Sequence, residues 1–191
     1  MHVTLKLKRG LPSLRNRKTL HVLLPAFDAG KERFGFRLNH FVVMGNHLHL
    51  IIEADDRGSL TRGLGGIAIR IAKALNRLWG RKGAVLFERF HEHVPRTPLE
   101  VRRALLYVLR NACRHGASRV SCAVHAAFVD PFSSGAWFDG WRGAPDAPPR
   151  AIATPVSAPS TWLQRLGWRR HGLIGGDEAP SGSPLAQAIP E

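Results

Sequence analysis

Two hydrophobic patterns succeed one another along the first 119 residues of the chain. Residues 2–8 alternate polar and apolar side chains, which is the period of a half-buried β-strand. Residues 36–44 and 47–53 are two further strand-like runs. The Gly45-Asn46 dipeptide between them suits a tight turn in which residues take positive φ, so this region is predicted to be a β-hairpin.

Apolar residues at helical spacing fill the intervals between these strands. They predict a helix over 13–34 that Pro25 kinks or restarts, and a second helix over 59–79. Residues 85–94 are expected to form a fourth strand. The capping box Thr-Pro-Leu-Glu then opens a helix over 97–115. The predicted order is strand, helix, strand, strand, helix, strand, helix, in an α+β fold.

The composition changes after residue 120, where nine of the 13 prolines lie among short aromatic islands. We therefore divide the chain into a domain over 1–119 and an irregular, Pro- and Gly-rich C-terminal tail over 120–191 that wraps on it. Residues 161–173 are predicted to form a short basic, aromatic helical segment. Stacking on single-stranded nucleic acid and packing on the core are both open for four of its side chains: Trp162, Trp168, Arg169 and Arg170.

The charge of the chain indicates a partner rich in phosphate groups. The 191 residues contain 28 Lys and Arg against 14 Asp and Glu, for a net charge of +14, and the pI is near 11.4. Of these, 23 basic and 8 acidic residues lie in 1–119, so a nucleic acid is expected to bind there. Ribosomal, chromatin and membrane-surface proteins share such a composition.

The cellular location is predicted from two absences in the sequence. Cys113 and Cys122 are the only cysteines, which is typical of a reducing compartment. No apolar run approaches the roughly 18 to 20 residues that a membrane span needs. We expect a cytoplasmic, nucleoid-associated protein with no membrane partner.

His47 and His49 are candidates for metal binding. Side chains at i and i+2 of a strand share a face, so the two imidazoles point the same way, about 7 Å apart along the strand. They can converge on one cation. A chance pair is the alternative, because the chain contains ten histidines.

Tyr107, the only tyrosine, is a candidate nucleophile. At about 100° per residue it lies opposite the apolar stripe of its predicted helix, on a polar face. Three arginines are expected around it: Arg103, Arg110 and Arg114. Arginines favour loss of the hydroxyl proton, and a metal stabilises the transition state of phosphodiester cleavage. An exposed tyrosine among solvated arginines is the alternative.

Asn111 is a candidate third ligand, because it follows Tyr107 by one helical turn and carries an amide oxygen. Two imidazole nitrogens and an amide oxygen, completed by phosphate oxygens and water, suit Mg²⁺ or Mn²⁺. A basic row on the second helix is expected to bind DNA: Arg70, Lys73 and Arg77.

Two other patterns are expected to have no part in the chemistry. Gly63, Gly65 and Gly66 lack the preceding strand and the lysine spacing of a P-loop, so we expect them to permit close helix packing. His91 and His93 repeat the His-x-His spacing, and we interpret them as a solvated strand face.

The motifs VVMGNHLHLIIE and YVLRN, whose tyrosine lies 60 positions after His47, have a known counterpart. Together with the HVTL opening and LFERFHEHV, they resemble the His-hydrophobe-His single-tyrosine transposases, particularly the REP-associated tyrosine transposases of bacteria. The likeness covers roughly residues 2–116. Gly45 departs from it, because relatives usually have proline at that position.

This resemblance implies a ferredoxin-like antiparallel sheet with packed helices. It also implies that His47, His49 and Asn111 bind a divalent metal and that Tyr107 attacks phosphorus. In that family the tyrosine forms a covalent 5′-phosphotyrosine and frees a 3′-hydroxyl on single-stranded DNA, commonly beside a hairpin, without ATP. The implied activity is that of a DNA nickase and strand transferase.

Two other functions remain open. One is a non-catalytic or domesticated DNA- or RNA-binding protein on the same scaffold, and the other is a metal-dependent nuclease that uses water. Relatives include dimers that exchange tyrosine helices and monomers that complete their own site. The long tail favours a monomer.

Overall fold

We describe the fold from a computed structural model, over residues 1–87, 90–111, 128–143, 153–178 and 180. Within residues 1–111 the elements are β1 (His2–Lys6), α1 (Arg17–Asp28), β2 (Glu32–Arg33), β3 (Phe36–Val43), β4 (His47–Ala54), α2 (Arg57–Leu78), β5 (His91–His93) and α3 (Pro98–Arg110). The tail contains 3₁₀ helices at Ser134–Trp137 and Gly167–His171, a parallel pair β6 (Trp141–Arg142) and β7 (Ile174–Gly175), and α4 (Trp162–Arg165). None of the helices in these ranges combines the length and the apolar character that a bilayer crossing demands.

The sheet has the strand order β2-β3-β4-β1-β5, and all of its neighbouring strands are antiparallel. β1 and β4 pair along five residues, with Thr4 opposite His49 and Leu5 opposite Leu48. The prediction of an α+β antiparallel sheet with packed helices is confirmed. The short strand β2 is an addition to the predicted order.

The sheet separates two apolar layers, because successive side chains of a strand point to opposite faces. Leu48 and Leu50 of β4 are fully buried against a layer that includes α1 and α2. Ile51 of β4 and Val42 of β3 lie in the other layer, with α3 and parts of the tail. His47 and His49 alternate with Leu48 and therefore lie on the α3 face.

The hairpin formed by β3 and β4 confirms the prediction for its strands but not for its turn. Gly45 and Asn46 both have negative φ, so the expected positive-φ turn is wrong. The turn is instead held from outside, since Leu7 N donates to Asn46 O and Leu14 N donates to Gly45 O, each at 2.8 Å.

The first helix is shorter than predicted. Asn16 caps α1 through a 2.9 Å hydrogen bond from Thr19 N, and Pro25 lies inside the helix, which ends at Asp28. The predicted extension to residue 34 is wrong. Phe34 takes φ 56° in the turn that joins β2 to β3, and a helix cannot pass through such a residue.

The later elements follow their predicted positions more closely. α2 begins two residues before its predicted start and ends one residue before its predicted end; Asp56 caps it, and Gly80 with φ 60° follows. Among the described residues of the predicted fourth strand, His91–His93 form β5 and Leu86 forms an isolated bridge with Leu7; residues 88 and 89 lie outside the described residues. Thr97 caps α3 as predicted. The expected end of that helix near residue 115 lies outside the described residues, as do both cysteines and the boundary at residue 119, which stays a prediction.

Aromatic side chains of the tail cover the outer side of α3. Trp168 is 1% exposed, and Phe138 and Trp141 are buried in the same apolar layer as Leu105 and Leu109. The rings of Phe138 and Trp168 stack with centroids 5.6 Å apart. The described parts of the tail therefore pack on the core, as the sequence predicted.

Two polar contacts fix the tail to the first part of the chain. Arg15 forms a 2.7 Å ion pair with the buried carboxylate of Asp130. The carboxylate of Glu53, on β4, accepts hydrogen bonds from the backbone and hydroxyl groups of Ser160 and Thr161. Burial raises the pKa of Glu53, but these bonds outweigh it and hold that pKa below its usual value. The tail is thus anchored at two separate points.

Gly63 of α2 provides a test of the predicted close packing. A Cβ at Gly63 would overlap the ring of Phe36, whereas a Cβ at Gly65 would meet no atom within 4 Å. We expect Gly63→Ala to lower the free energy of unfolding by about 1–3 kcal/mol through overpacking. Gly65→Ala should raise it by up to about 1 kcal/mol through helix propensity. Urea unfolding of both variants measures the contrast, and equal effects would contradict it.

His40 of β3 predicts a pH dependence of stability. Burial lowers the pKa of His40 to about 4, and the carboxylate of Asp139 offsets a smaller part of that change. Because the folded-state pKa lies below the unfolded value of about 6.5, stability is full above pH 6.5 and is lost as the pH falls toward 4. Between pH 7 and pH 5 the wild type should lose about 2 kcal/mol more than His40→Gln. Urea titrations of the wild type and of His40→Gln at both pH values test this. His21→Gln, at an exposed helix position, is the control and should lose as much stability as the wild type. Equal losses in the wild type and His40→Gln would disprove the prediction.

Candidate functional site

His47 and His49 lie side by side at the start of β4. Their Nε2 atoms are 3.0 Å apart, and their rings are nearly perpendicular. Nδ1 of His47 contacts Oδ1 of Asn46 at 2.7 Å, and an N–H at Nδ1 donates to that amide oxygen. This contact turns Nε2 of His47 toward His49, so the shared strand face predicted for the two histidines is present.

Strand β1 contributes two side chains behind His49. Nδ1 of His49 lies 3.0 Å from Oγ1 of Thr4 and 3.2 Å from Nε2 of His2. All three residues are 5% exposed or less. Burial lowers the pKa of His2 to about 3, with smaller contributions from the charges of the N-terminus and His93. His2 is therefore neutral at physiological pH.

The sequence interpretation did not include His2, Thr4 or Asn46 in the site. The alternation of residues 2–8 does place His2 and Thr4 on the face opposite Val3 and Leu5. The alternation cannot show that β1 pairs with β4. It also cannot show the register of that pair, which brings Thr4 opposite His49.

Helix α3 brings Tyr107 onto the same group of side chains. The hydroxyl of Tyr107 lies 3.4 Å from Nε2 of His49. Its ring is edge-on to His49 at 5.1 Å between centroids and tilted against His2 at 5.4 Å. The hydroxyl thus points to the edge of His49 that also faces His47. Catalytic hydrogen bonds are often this long before a substrate is bound.

Asn111 follows the last residue of α3 and is 1% exposed. Its Nδ2 and Oδ1 are buried, and neither has a hydrogen-bond partner among the described residues. Burying an amide without partners costs about 1–3 kcal/mol, so such a group calls for a functional or structural reason. A metal ligand is one such reason.

These donors fit a hard divalent cation. Two ligand atoms at about 2.1 Å from an octahedral ion, at right angles to each other, lie about 3.0 Å apart, which matches the two imidazole nitrogens. In the parts of the chain that the structure describes, no three or more His, Cys, Asp or Glu side chains are grouped to hold a metal ion. Any metal at His47 and His49 thus needs other oxygens, such as the amide of Asn111, phosphate and water, which Mg²⁺ and Mn²⁺ accept.

The predicted basic residues of α3 are not equivalent. Arg103 is exposed. Arg110 is 3% exposed, and its guanidinium donates to the carbonyls of Phe128 and Glu178 in the tail. The expectation that Arg110 lies on an open polar face is wrong, because the tail covers that side of the helix. Arg114 lies outside the described residues.

The basic row of α2 lies on the other side of the sheet from the histidines, because α2 packs on the opposite apolar layer. Lys73 and Arg77 are exposed, and Arg70 is half-buried and donates to Gly66 O of its own helix. The structure does not bring these cations next to Tyr107. Their role in DNA binding stays a prediction.

The aromatic segment of the tail divides into a packed and an exposed part. Trp168 is buried, so packing on the core applies to it. Arg169 pairs with Asp139 at 2.8 Å. Trp162 is 48% exposed, with the guanidinium of Arg170 4.9 Å from its ring centroid. Stacking on nucleic acid stays a prediction for these last two side chains.

Asn111 yields a prediction that needs no metal or DNA. Asn111→Leu removes two buried polar atoms that have no hydrogen-bond partner among the described residues, so the free energy of unfolding in metal-free buffer should rise by about 1–3 kcal/mol. Asn76→Leu is the matched control, because both ends of the Asn76 amide are hydrogen-bonded, to Gly83 O and to Arg81. The control should be destabilised. Urea unfolding measures the stability of both variants. A loss of stability in Asn111→Leu would show that the Asn111 amide does form stabilising hydrogen bonds.

Comparisons with known proteins bear on the fold. No protein-family model matches the sequence, and no curated protein sequence matches it significantly. The structure is similar to a solved structure of a REP-associated tyrosine transposase bound to a REP hairpin, with a TM-score of 0.53 and 22% sequence identity. The match covers 80% of this chain and 92% of that one. The chain therefore has the fold of a REP-associated tyrosine transposase, as its motifs predicted.

Proposed function

We propose that this protein is a transposase that cuts and rejoins single-stranded DNA through a covalent phosphotyrosine on Tyr107. One observation carries the proposal: the hydroxyl of the chain's single tyrosine lies 3.4 Å from Nε2 of His49, which is itself 3.0 Å from Nε2 of His47. A tyrosine that served packing alone would not need its hydroxyl at the one edge where two imidazoles converge.

The proposed reaction exchanges one phosphate ester for another. Oη of Tyr107 attacks the phosphorus of a phosphodiester, the bond from phosphorus to the 3′ oxygen breaks, and the 5′ phosphate remains on the tyrosine. The phenol proton is released and a proton joins the departing 3′ oxygen, so that charge and atoms balance. Attack by a 3′-hydroxyl reverses these steps and rejoins the strand. No ATP is consumed, because the phosphotyrosine ester retains the energy of the broken bond.

His47, His49 and Asn111 are the residues that we propose hold Mg²⁺ or Mn²⁺. When bound, the cation would stabilise the negative charge that builds on the phosphate oxygens. The 3.0 Å separation of the two Nε2 atoms supports this assignment, and so does the buried amide of Asn111, which has no hydrogen-bond partner among the described residues. Asn46 and Thr4 support it too. Asn46 contacts Nδ1 of His47 and Thr4 contacts Nδ1 of His49, so the Nε2 atom of each ring faces the other histidine.

The DNA partner is proposed from charge and from the similar structure. That transposase is bound to a REP hairpin, and residues 1–119 of this chain carry most of the 28 basic residues. We propose that Arg103 contacts backbone phosphates beside Tyr107. The basic row of α2 would contact a more distant part of a hairpin-containing substrate, in the nucleoid of a bacterial cytoplasm.

A monomer is the proposed working form. Tyr107 and the two histidines come from one chain, and α3 packs against its own sheet and its own tail. Such a chain needs no tyrosine from a second copy.

Covalent attachment to DNA tests this proposal. Wild type is incubated with a labelled single-stranded hairpin oligonucleotide and Mg²⁺ or Mn²⁺, and the products are separated on a denaturing gel. We expect a labelled band at protein mass that requires metal and is absent in Tyr107→Phe and His49→Ala. His21→Ala, at an exposed position of α1 on the other side of the sheet, is the control and should form the band.

Two other results would point to the competing functions. Binding of several hairpins without any adduct would favour a non-catalytic DNA- or RNA-binding protein, whose affinity survives Tyr107→Phe. Cleavage without an adduct that tolerates Tyr107→Phe would indicate a nuclease that uses water.

A further inference from the structure

The side of His49 that faces away from Tyr107 is filled by polar groups of β1. Nδ1 of His49 contacts Oγ1 of Thr4 at 3.0 Å and Nε2 of His2 at 3.2 Å. Thr4, His2 and His49 are 5%, 4% and 3% exposed. Polar side chains are stable in such positions only when they are hydrogen-bonded, so this group has a defined arrangement.

The strand register explains how these contacts form. Thr4 is directly opposite His49 in the β1–β4 pair, and His2 lies two residues further along β1 on the same face. Directly opposed side chains are in contact, and the diagonal neighbour is within reach of a ring. The His2 ring lies 5.1 Å from that of His49 and 5.4 Å from that of Tyr107. β1 therefore confines both the histidine and the tyrosine.

An imidazole that binds a cation through Nε2 carries its proton on Nδ1, and that N–H needs an acceptor. In this arrangement the one N–H is shared in a three-centre hydrogen bond between the hydroxyl oxygen of Thr4, at 3.0 Å, and an unprotonated Nε2 of His2, at 3.2 Å. We propose that Thr4 and His2 are positioning residues that hold the His49 ring with Nε2 toward a divalent cation shared with His47. This inference rests on the proposed metal site and extends it to residues that touch neither the cation nor the DNA.

Binding of Mn²⁺ alone to the full-length, DNA-free protein tests the inference, with the free ion counted by electron paramagnetic resonance. Loss of such an outer hydrogen bond typically weakens metal affinity about 10- to 100-fold. We expect Thr4→Val, which keeps the shape but removes the oxygen, to weaken Mn²⁺ binding at least about 10-fold. Thr4→Ser restores the acceptor and should bind within about twofold of wild type.

Two histidine variants complete the test. His2→Phe keeps a ring but loses the acceptor, and it should weaken Mn²⁺ binding as Thr4→Val does. His21→Phe is the control, because His21 is exposed on α1, which packs on the opposite side of the sheet. It should bind Mn²⁺ as the wild type does. Metal-free melting temperatures identify any variant that fails to fold, and the Thr4→Val and Thr4→Ser pair then decides the result.

The outcomes separate this inference from the proposed function. If the wild type binds Mn²⁺ and both Thr4→Val and His2→Phe bind it equally well, the positioning role is wrong and the metal site stands. If Thr4→Ser binds as weakly as Thr4→Val, the hydroxyl is not the cause and the inference fails. A wild type that binds no Mn²⁺ overturns the inference and the metal site together. The expected Mn²⁺ pattern without any DNA adduct would support the inference and reject strand transfer.

Discussion

The antiparallel pairing of β1 with β4 is the interaction on which the rest of the site depends. It lies at the centre of the sheet, and its register sets Thr4 against His49. A shift of one residue would turn the histidines into the apolar layer under α2 and would bring Leu48 onto the face of Tyr107. Such a shift is strongly disfavoured, because Leu48, Leu50 and Ile52 are fully buried on the other face. The packing of the core therefore fixes the positions of the polar side chains.

The same alternation gives the two faces of the sheet different functions. The layer under α1 and α2 is a core of apolar side chains, among them Phe27, Ile67 and Leu50. The layer under α3 combines apolar contacts, such as Ile51 with the helix, and a polar group of histidines, Thr4 and Tyr107 at one end. Glu53, four residues after His49 on β4, uses the same face to bind the tail. β4 thus carries two of the candidate metal ligands and also the carboxylate that binds the tail.

The sequence predicted those features that depend on local periodicity. The hairpin strands, the cap of α3 and the shared face of His47 and His49 all follow from spacing along one segment. Features that depend on partners distant in sequence could not be predicted in this way. Arg110 is a clear case, since helical geometry placed it on a polar face but the tail, 18 or more residues further on, covers it. His2 is another case. The alternation of residues 2–8 indicated the face on which His2 lies, but not that β4 is the neighbouring strand. Phe34 shows a local failure, where an apolar residue in helical register proved to occupy a turn.

The enclosure of α3 has a consequence for the proposed exchange of DNA strands. The helix is held by the sheet on one side and by Trp168, Phe138 and Trp141 on the other, and Arg102 adds an ion pair to Glu178 at 2.8 Å. Tyr107 therefore sits on a fixed support, and moving it away would require unpacking much of an apolar layer. A DNA end esterified to such a tyrosine would stay where it was cut. The incoming 3′ end would have to move to the tyrosine. The flexibility and folding of the DNA would then determine which end is joined, while the protein held its own end in place.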